Sequence, residues 1–150
     1  MNITAFDLAQ RFVGVKETSG ATSTPIILAM LTLDGDWPKD DAVPWCSAFT
    51  NYIAWLLRLP RSKSLVARSW LDVGRPILLE DASAGHDVVI LSRDGGGHVG
   101  FFAALHGNDV LLLGGNQHDS VSVSAFPRNR VLGVRRLCDD VTTTGVIERV

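Results

Sequence analysis

Cys46 stands where a turn gives way to a helical pattern, in Val43-Pro44-Trp45-Cys46-Ser47-Ala48-Phe49. A thiol at a helix start lies near unpaired backbone N–H groups and the positive end of the helix dipole. Both favour the nucleophilic thiolate. His98 opens an apolar, strand-like run and Asn116 closes the next one. These three side-chain types supply a nucleophile, a general base and a group that orients the base. That set cleaves amide bonds through a thioester. The backbone N–H of Cys46 is one natural oxyanion donor, and no residue identifies itself as the second.

Such chemistry needs a helix N-terminus held over the end of a sheet. Before about residue 80 the apolar residues follow helical spacing. Thr4 caps a predicted helix bearing Phe6, Ala9 and Val13, and Thr24-Pro25 starts a second through Ile26, Ile27, Met30 and Leu31. Asp34-Gly35-Asp36 ends that segment, and Trp37-Pro38 opens a polar loop. The third helix is expected from Cys46 to Leu57, with Phe49, Ile53, Leu56 and Leu57 as its buried face. Ser64 caps a short fourth, Leu65 to Val73, which Gly74 stops.

Beyond that point the period becomes two. Strands are expected at Asp87 to Ser92, His98 to Leu105, Asp109 to Gly114, Ser120 to Ala125 and Val131 to Cys138. Asp94-Gly95-Gly96-Gly97 reads as a flexible turn, and 139–150 as a loose tail. Helices followed by strands predict one α+β domain over 1–150, with helices packed on an antiparallel sheet of about five strands.

Hairpin register then tests the proposed site. With residues 106–108 as the loop, Leu105 pairs with Asp109 and His98 falls opposite Asn116. Opposed side chains have Cβ atoms about 4.5–5.5 Å apart, within reach of an amide-to-imidazole bond. A slip of one residue moves the partner to Gln117 or Gly115, so Gln117 is the reserve amide. Trp45, beside the nucleophile, and Gln117 are the candidate substrate contacts.

No metal or cofactor is expected. Cys46, His86, His98, His106 and His118 form none of the usual ligand spacings. Cys46 and Cys138 make no CxxC, and Cys138 reads as a small hydrophobe. Among 150 residues, 46% hydrophobic and 20% charged content suits a folded core rather than disorder. A net charge of −2 and a pI near 6.0 give no reason to expect nucleic acid or an anionic membrane as partner. The apolar runs are too short for membrane insertion, and Met1 to Gln10 lacks a signal-peptide pattern. Synthesis in the cytoplasm is expected, with release or secretion needed for any target outside.

Pro44-Trp45-Cys46-Ser47-Ala48-Phe49, Gly97-His98-Val99-Gly100-Phe101 and Gly114-Gly115-Asn116-Gln117 resemble the CHAP and NlpC-like superfamily of bacterial cell-wall cysteine amidases and peptidases. Val15-Lys16-Glu17 and Ala67-Arg68-Ser69-Trp70-Leu71 are similar to a small branch seen in phage lysins and secreted toxins, so the likeness runs from about residue 8 to 137. The resemblance implies a papain-like fold, with Cys46 and His98 as the catalytic pair and Asn116 as the polar third residue. It implies peptidoglycan as the partner, cut at a stem-peptide amide bond by an endopeptidase or N-acetylmuramoyl-L-alanine amidase. The place of action would be the wall, in the periplasm or exterior, with an immunity protein or secretion partner for a toxin. One departure concerns Gly114, where CHAP lysins often carry Glu. The alternative readings are a cysteine-dependent deamidase or acyltransferase acting on a protein, and an inactive module that binds wall or partner.

Overall fold

The computed structural model describes residues 3–17, 24–35 and 44–139, and three α-helices and six strands lie within them. Helix α1 (Ala5–Gln10) begins with a reciprocal cap. Asp7 N–H donates to Thr4 Oγ1 at 3.0 Å, and Thr4 N–H donates to the Asp7 carboxylate at 3.1 Å. The helix ends before Val13, which is exposed. Helix α2 (Pro25–Leu31) starts on Pro25, whose fixed φ and missing N–H suit a first turn. Thr24 precedes it as expected, but its hydroxyl donates to the Lys16 carbonyl at 2.7 Å instead of capping.

Helix α3 (Cys46–Leu56) buries Cys46, Phe49, Thr50, Ile53 and Ala54, a stripe at i, i+3 and i+4 spacing. Leu57 extends that stripe and is half-buried. Leu56 falls off it and is exposed, contrary to the expected face. The segment expected to form a helix from Leu65 to Val73 is a 3-10 helix over Ala67–Asp72.

Strands β1 (Arg75–Ile77), β2 (Asp87–Arg93), β3 (Gly96–His106), β4 (Asp109–Gln117), β5 (Ser120–Pro127) and β6 (Val131–Arg136) form one sheet. Their order is β1-β6-β2-β3-β4-β5, with every neighbouring pair antiparallel. This is the expected α+β arrangement with one more strand. The addition, β1, is a three-residue edge strand with Pro76 at its centre, too short to show alternation. At the other end of the chain, β6 stops at Arg136, short of Cys138.

Alternation gives the sheet two apolar faces. Val88, Ile90, Val99, Phe101, Leu113 and Val121 pack with the helices, while Val89, Leu91, Phe102, Val110, Leu112 and Val134 form a second core. The sheet rolls around this second core. Phe126, near the far end of β5, thereby brings its ring centre to 5.2 Å from that of His98 near the start of β3. Asp87, 1% exposed, opens β2 and accepts two bonds from Arg136 of β6, at 2.8 and 2.9 Å.

Turns and bulges set the register. Asp94-Gly95 alone joins β2 to β3, with Gly95 at φ +74°, so Gly96 and Gly97 are strand residues rather than turn. Gly107-Asn108 joins β3 to β4, and His106 pairs with Asp109, so the loop is shorter than the expected 106–108. Ala103 is then an extra residue on β3, and beyond it Phe102 pairs with Leu112 and Phe101 with Leu113. A second bulge lies in β4, where Gly114 pairs with Ser122 but Gln117 with Ser120. Asn116 sits in that bulge at φ +58°, a left-handed conformation that asparagine tolerates. Trp37-Pro38 and the tail beyond Asp139 lie outside the described residues.

Candidate active site

A buried polar network fixes the first turn of α3. Ser47 Oγ donates to the Ser64 carbonyl at 2.6 Å and accepts from the Trp70 indole N–H at 2.9 Å. One turn on, Asn51 Nδ2 reaches the Ser47 carbonyl at 3.1 Å and the Ser64 carbonyl at 3.2 Å, and Asn51 Oδ1 accepts from Lys63 N–H at 2.9 Å. These contacts tie the helix start to the 62–64 segment and to the 3-10 helix behind it. Sequence reasoning missed both residues. Their signal was a polar pair at i, i+4 inside an otherwise apolar helix face.

The turn so held carries Cys46, which is 4% exposed. The backbone N–H of Val99 is near enough to act on its sulfur, as are those of Ser47 and Cys46 itself. Val99 lies where β3 runs without β4, since the two strands pair only from Phe101 and Leu113 onward. The thiol therefore approaches β3 where its neighbour has parted from it. His98 is the preceding residue.

His98 is fully buried. Its Nε2 lies 2.9 Å from Gln117 Oε1. Gln117 Nε2 in turn donates to the carbonyls of Leu112 at 3.1 Å and Ser122 at 2.7 Å. Two carbonyls thus claim the amide nitrogen, and the amide oxygen turns to the imidazole. An amide oxygen only accepts, so Nε2 carries the ring proton and Nδ1 keeps its lone pair in the neutral ring. Nδ1 is buried and has no hydrogen-bond partner among the described residues.

The amide beside His98 is therefore that of Gln117, not Asn116. The β4 bulge turns Asn116 into a corner and carries Gln117 back over Gly114. A Cβ at Gly114 would sit 2.6 Å from Gln117 Oε1, so the missing side chain there is the space the amide fills. Both expected substrate contacts are buried. Gln117 is 3% exposed and committed to His98. Trp45 is wholly buried, with its indole N–H donated to Glu17 at 2.8 Å. Arg68 is not paired with Glu17; it donates to the Gly96 carbonyl at 3.0 and 3.1 Å.

Trp45 and Phe49 seat α3 directly on the bulge. A Cβ at Gly115 would lie 2.7 Å from Phe49 Cβ and 2.7 Å from the Trp45 ring. Gly115→Ala is expected to cost about 2 kcal/mol through overpacking, measured as a lower urea midpoint with an unchanged slope.

Burial sets the protonation states. It pushes the Cys46 thiol up, against the opposing pull of the Val99 N–H and the positive charge of Arg93. It pushes His98 down to about 4, against the Gln117 bond, and Arg93 and Arg130 add to the fall. Both shifts favour a neutral thiol and a neutral imidazole. The thiolate expected from the helix start alone is overridden by desolvation.

The same shift couples His98 to stability. The imidazole protonates near 6.5 when unfolded and near 4 when folded, so the unfolded chain binds more protons between these values. Stability falls as pH falls through that window, by up to about 3 kcal/mol. Urea midpoints followed from about pH 7 to about pH 4 are expected to drop more for wild type than for His98→Gln.

Among the described residues, no group of three or more His, Cys, Asp or Glu side chains could hold a metal ion. No described helix is long and apolar enough to cross a membrane. No protein-family model matches the sequence, and no curated protein matches it. Among solved structures, NlpC1 from Trichomonas vaginalis is similar at 14% identity and a TM-score of 0.48, over 91% of this chain and 44% of that one. The chain thus spans less than half the length of that protein.

Proposed function

We propose that the chain is a cysteine hydrolase that cleaves amide bonds of peptidoglycan stem peptides. The observation that carries this reading is the Gln117 amide, held by two carbonyls and aimed at His98 Nε2. It leaves Nδ1 as a buried base, unpartnered among the described residues, one residue from the Val99 N–H that acts on the Cys46 sulfur. The likeness of the Cys46, His98 and Gly114-to-Gln117 motifs to wall hydrolases supports the choice of substrate. Work on the wall would take place in the periplasm or exterior.

In this mechanism Nδ1 takes the thiol proton as Sγ attacks the amide carbonyl carbon, because the resting pair is neutral. Charge collects on the carbonyl oxygen, near the Cys46 N–H at the start of α3. When the C–N bond breaks, the Nδ1 proton passes to the leaving amine and a thioester remains on Cys46. Water then attacks the thioester with His98 again as base, releasing the carboxylic acid. Throughout, Gln117 Oε1 accepts the hydrogen bond from Nε2–H and holds the ring in one orientation.

Mass analysis of muropeptides after digestion of purified sacculi tests the reading. New amine and carboxylate ends within stem peptides are expected from wild type and not from Cys46→Ala. Intact sacculi with a one-unit mass gain on a protein glutamine would instead identify a deamidase.

A further inference from the structure

A cationic cavity opens beside the site. Ser92, Arg93, Asp94 and Arg130 line about 460 Å³ of space. Arg130 is anchored there: its Nε donates to the Ser92 carbonyl at 3.0 Å, and its guanidinium stands 5.8 Å from the centre of the Phe126 ring. Phe126 in turn lies against the His98 ring, at 5.2 Å between centres. The terminal nitrogens of Arg130 have no protein partner among the described residues, and Arg93 is exposed with no bond or ion pair there. Elsewhere Arg61, Arg75 and Arg136 are each matched to a carboxylate. Asp94 shares the cavity lining without an ion pair to either arginine, so among the described residues two guanidinium groups stand against one carboxylate. Their charge is felt at the chemistry, since both act on His98 and Arg93 also acts on Cys46.

We infer that this cavity receives a carboxylate of the substrate, gripped by Arg93 and Arg130 while the neighbouring amide carbonyl reaches Cys46. Guanidinium groups pair with carboxylates through parallel N–H···O bonds, and a partly enclosed cavity weakens competition from water. The inference rests on the hydrolase reading and narrows its substrate class. The preferred peptides carry a free carboxylate near the scissile bond, and amidation of that carboxylate protects them.

Alkylation of Cys46 tests the cavity without any peptidoglycan. Iodoacetate and iodoacetamide both form an S–CH2 bond with loss of iodide, and they differ in presenting a carboxylate or a neutral amide. Rates are compared at about pH 8.5, with Cys46→Ala reporting any labelling of Cys138. The iodoacetate-to-iodoacetamide ratio is expected to fall about fivefold in Arg93→Gln and further in Arg93→Gln/Arg130→Gln. An equal ratio in wild type and Arg93→Gln overturns the inference; Arg93 is exposed and has no side-chain hydrogen bond or ion pair among the described residues, so the substitution spares the fold. Nε–H NMR signals of Arg93 and Arg130, titrated with N-acetylglycine and N-acetylglycinamide, read the same cavity without the thiol. Shifts with the acid alone support it, and no shift with either overturns it. On stem peptides, wild type should favour the free carboxylate over its amidated form, a preference that Arg93→Gln loses mainly through KM. A raised alkylation ratio with uncut muropeptides would keep the carboxylate site and overturn the wall reading.

Discussion

Cys46→Ala is expected to lower release of stem-peptide fragments by about 10³-fold or more while leaving the fold intact. Alanine keeps the helix start and removes a single buried sulfur, at a stability cost of about 1 kcal/mol. Cys46→Ser is expected to be nearly as inactive. Its hydroxyl is far less acidic than a thiol, and burial already pushes even the thiol up. A neutral imidazole with a depressed pKa is a weak base for a serine. Rates of fragment release, with circular dichroism to confirm folding, separate lost chemistry from lost structure.

The second large effect belongs to Gln117. Gln117→Leu keeps bulk but leaves Nε2 without an acceptor, so neither the tautomer nor the tilt of the imidazole is held. A fall in kcat of about 10³-fold is expected with KM little changed, the pattern for a residue that acts through the base. The freed carbonyls of Leu112 and Ser122 add a stability loss of about 2 kcal/mol. Gly114→Ala should reproduce the kinetic defect with the glutamine still present, because the new Cβ would stand 2.6 Å from Oε1. Asn116→Gly is the contrast. It deletes the other amide while suiting the φ of +58°, and kcat should change by no more than about twofold. A collapse of kcat in Asn116→Gly, with Gln117→Leu unaffected, would reverse the two assignments.

Much of the scaffold could be read from local chemistry. Thr4 as a cap, Thr24 with Pro25, Pro44 before Cys46, and the switch from helical to alternating period are signals carried by neighbours in the chain. They led to the α+β arrangement and to a helix starting at Cys46. The partner of His98 was harder, because register was counted from a loop of assumed length. The loop is shorter than that count assumed, and the Ala103 bulge then restores the expected pairing at Phe101 and Phe102. The β4 bulge finally exchanges Asn116 for Gln117. That bulge is shaped by Trp45 and Phe49 pressing on Gly115, a contact between distant segments that no local pattern reports. The same holds for protonation. Proximity to a helix start is visible in sequence, but the burial that outweighs it at Cys46 is a property of the folded chain.

The role of Cys46 as nucleophile is tested most directly by trapping the thioester. Wild type mixed with a stem-peptide substrate, quenched in acid within the first turnover, is digested and the fragment containing Cys46 is weighed. The expected result is the mass of the acyl half of the substrate on Cys46, absent from Cys46→Ala and accumulating before the acid product appears. Steady formation of cleaved peptide with no such adduct, or an adduct on Cys138 alone, would contradict it.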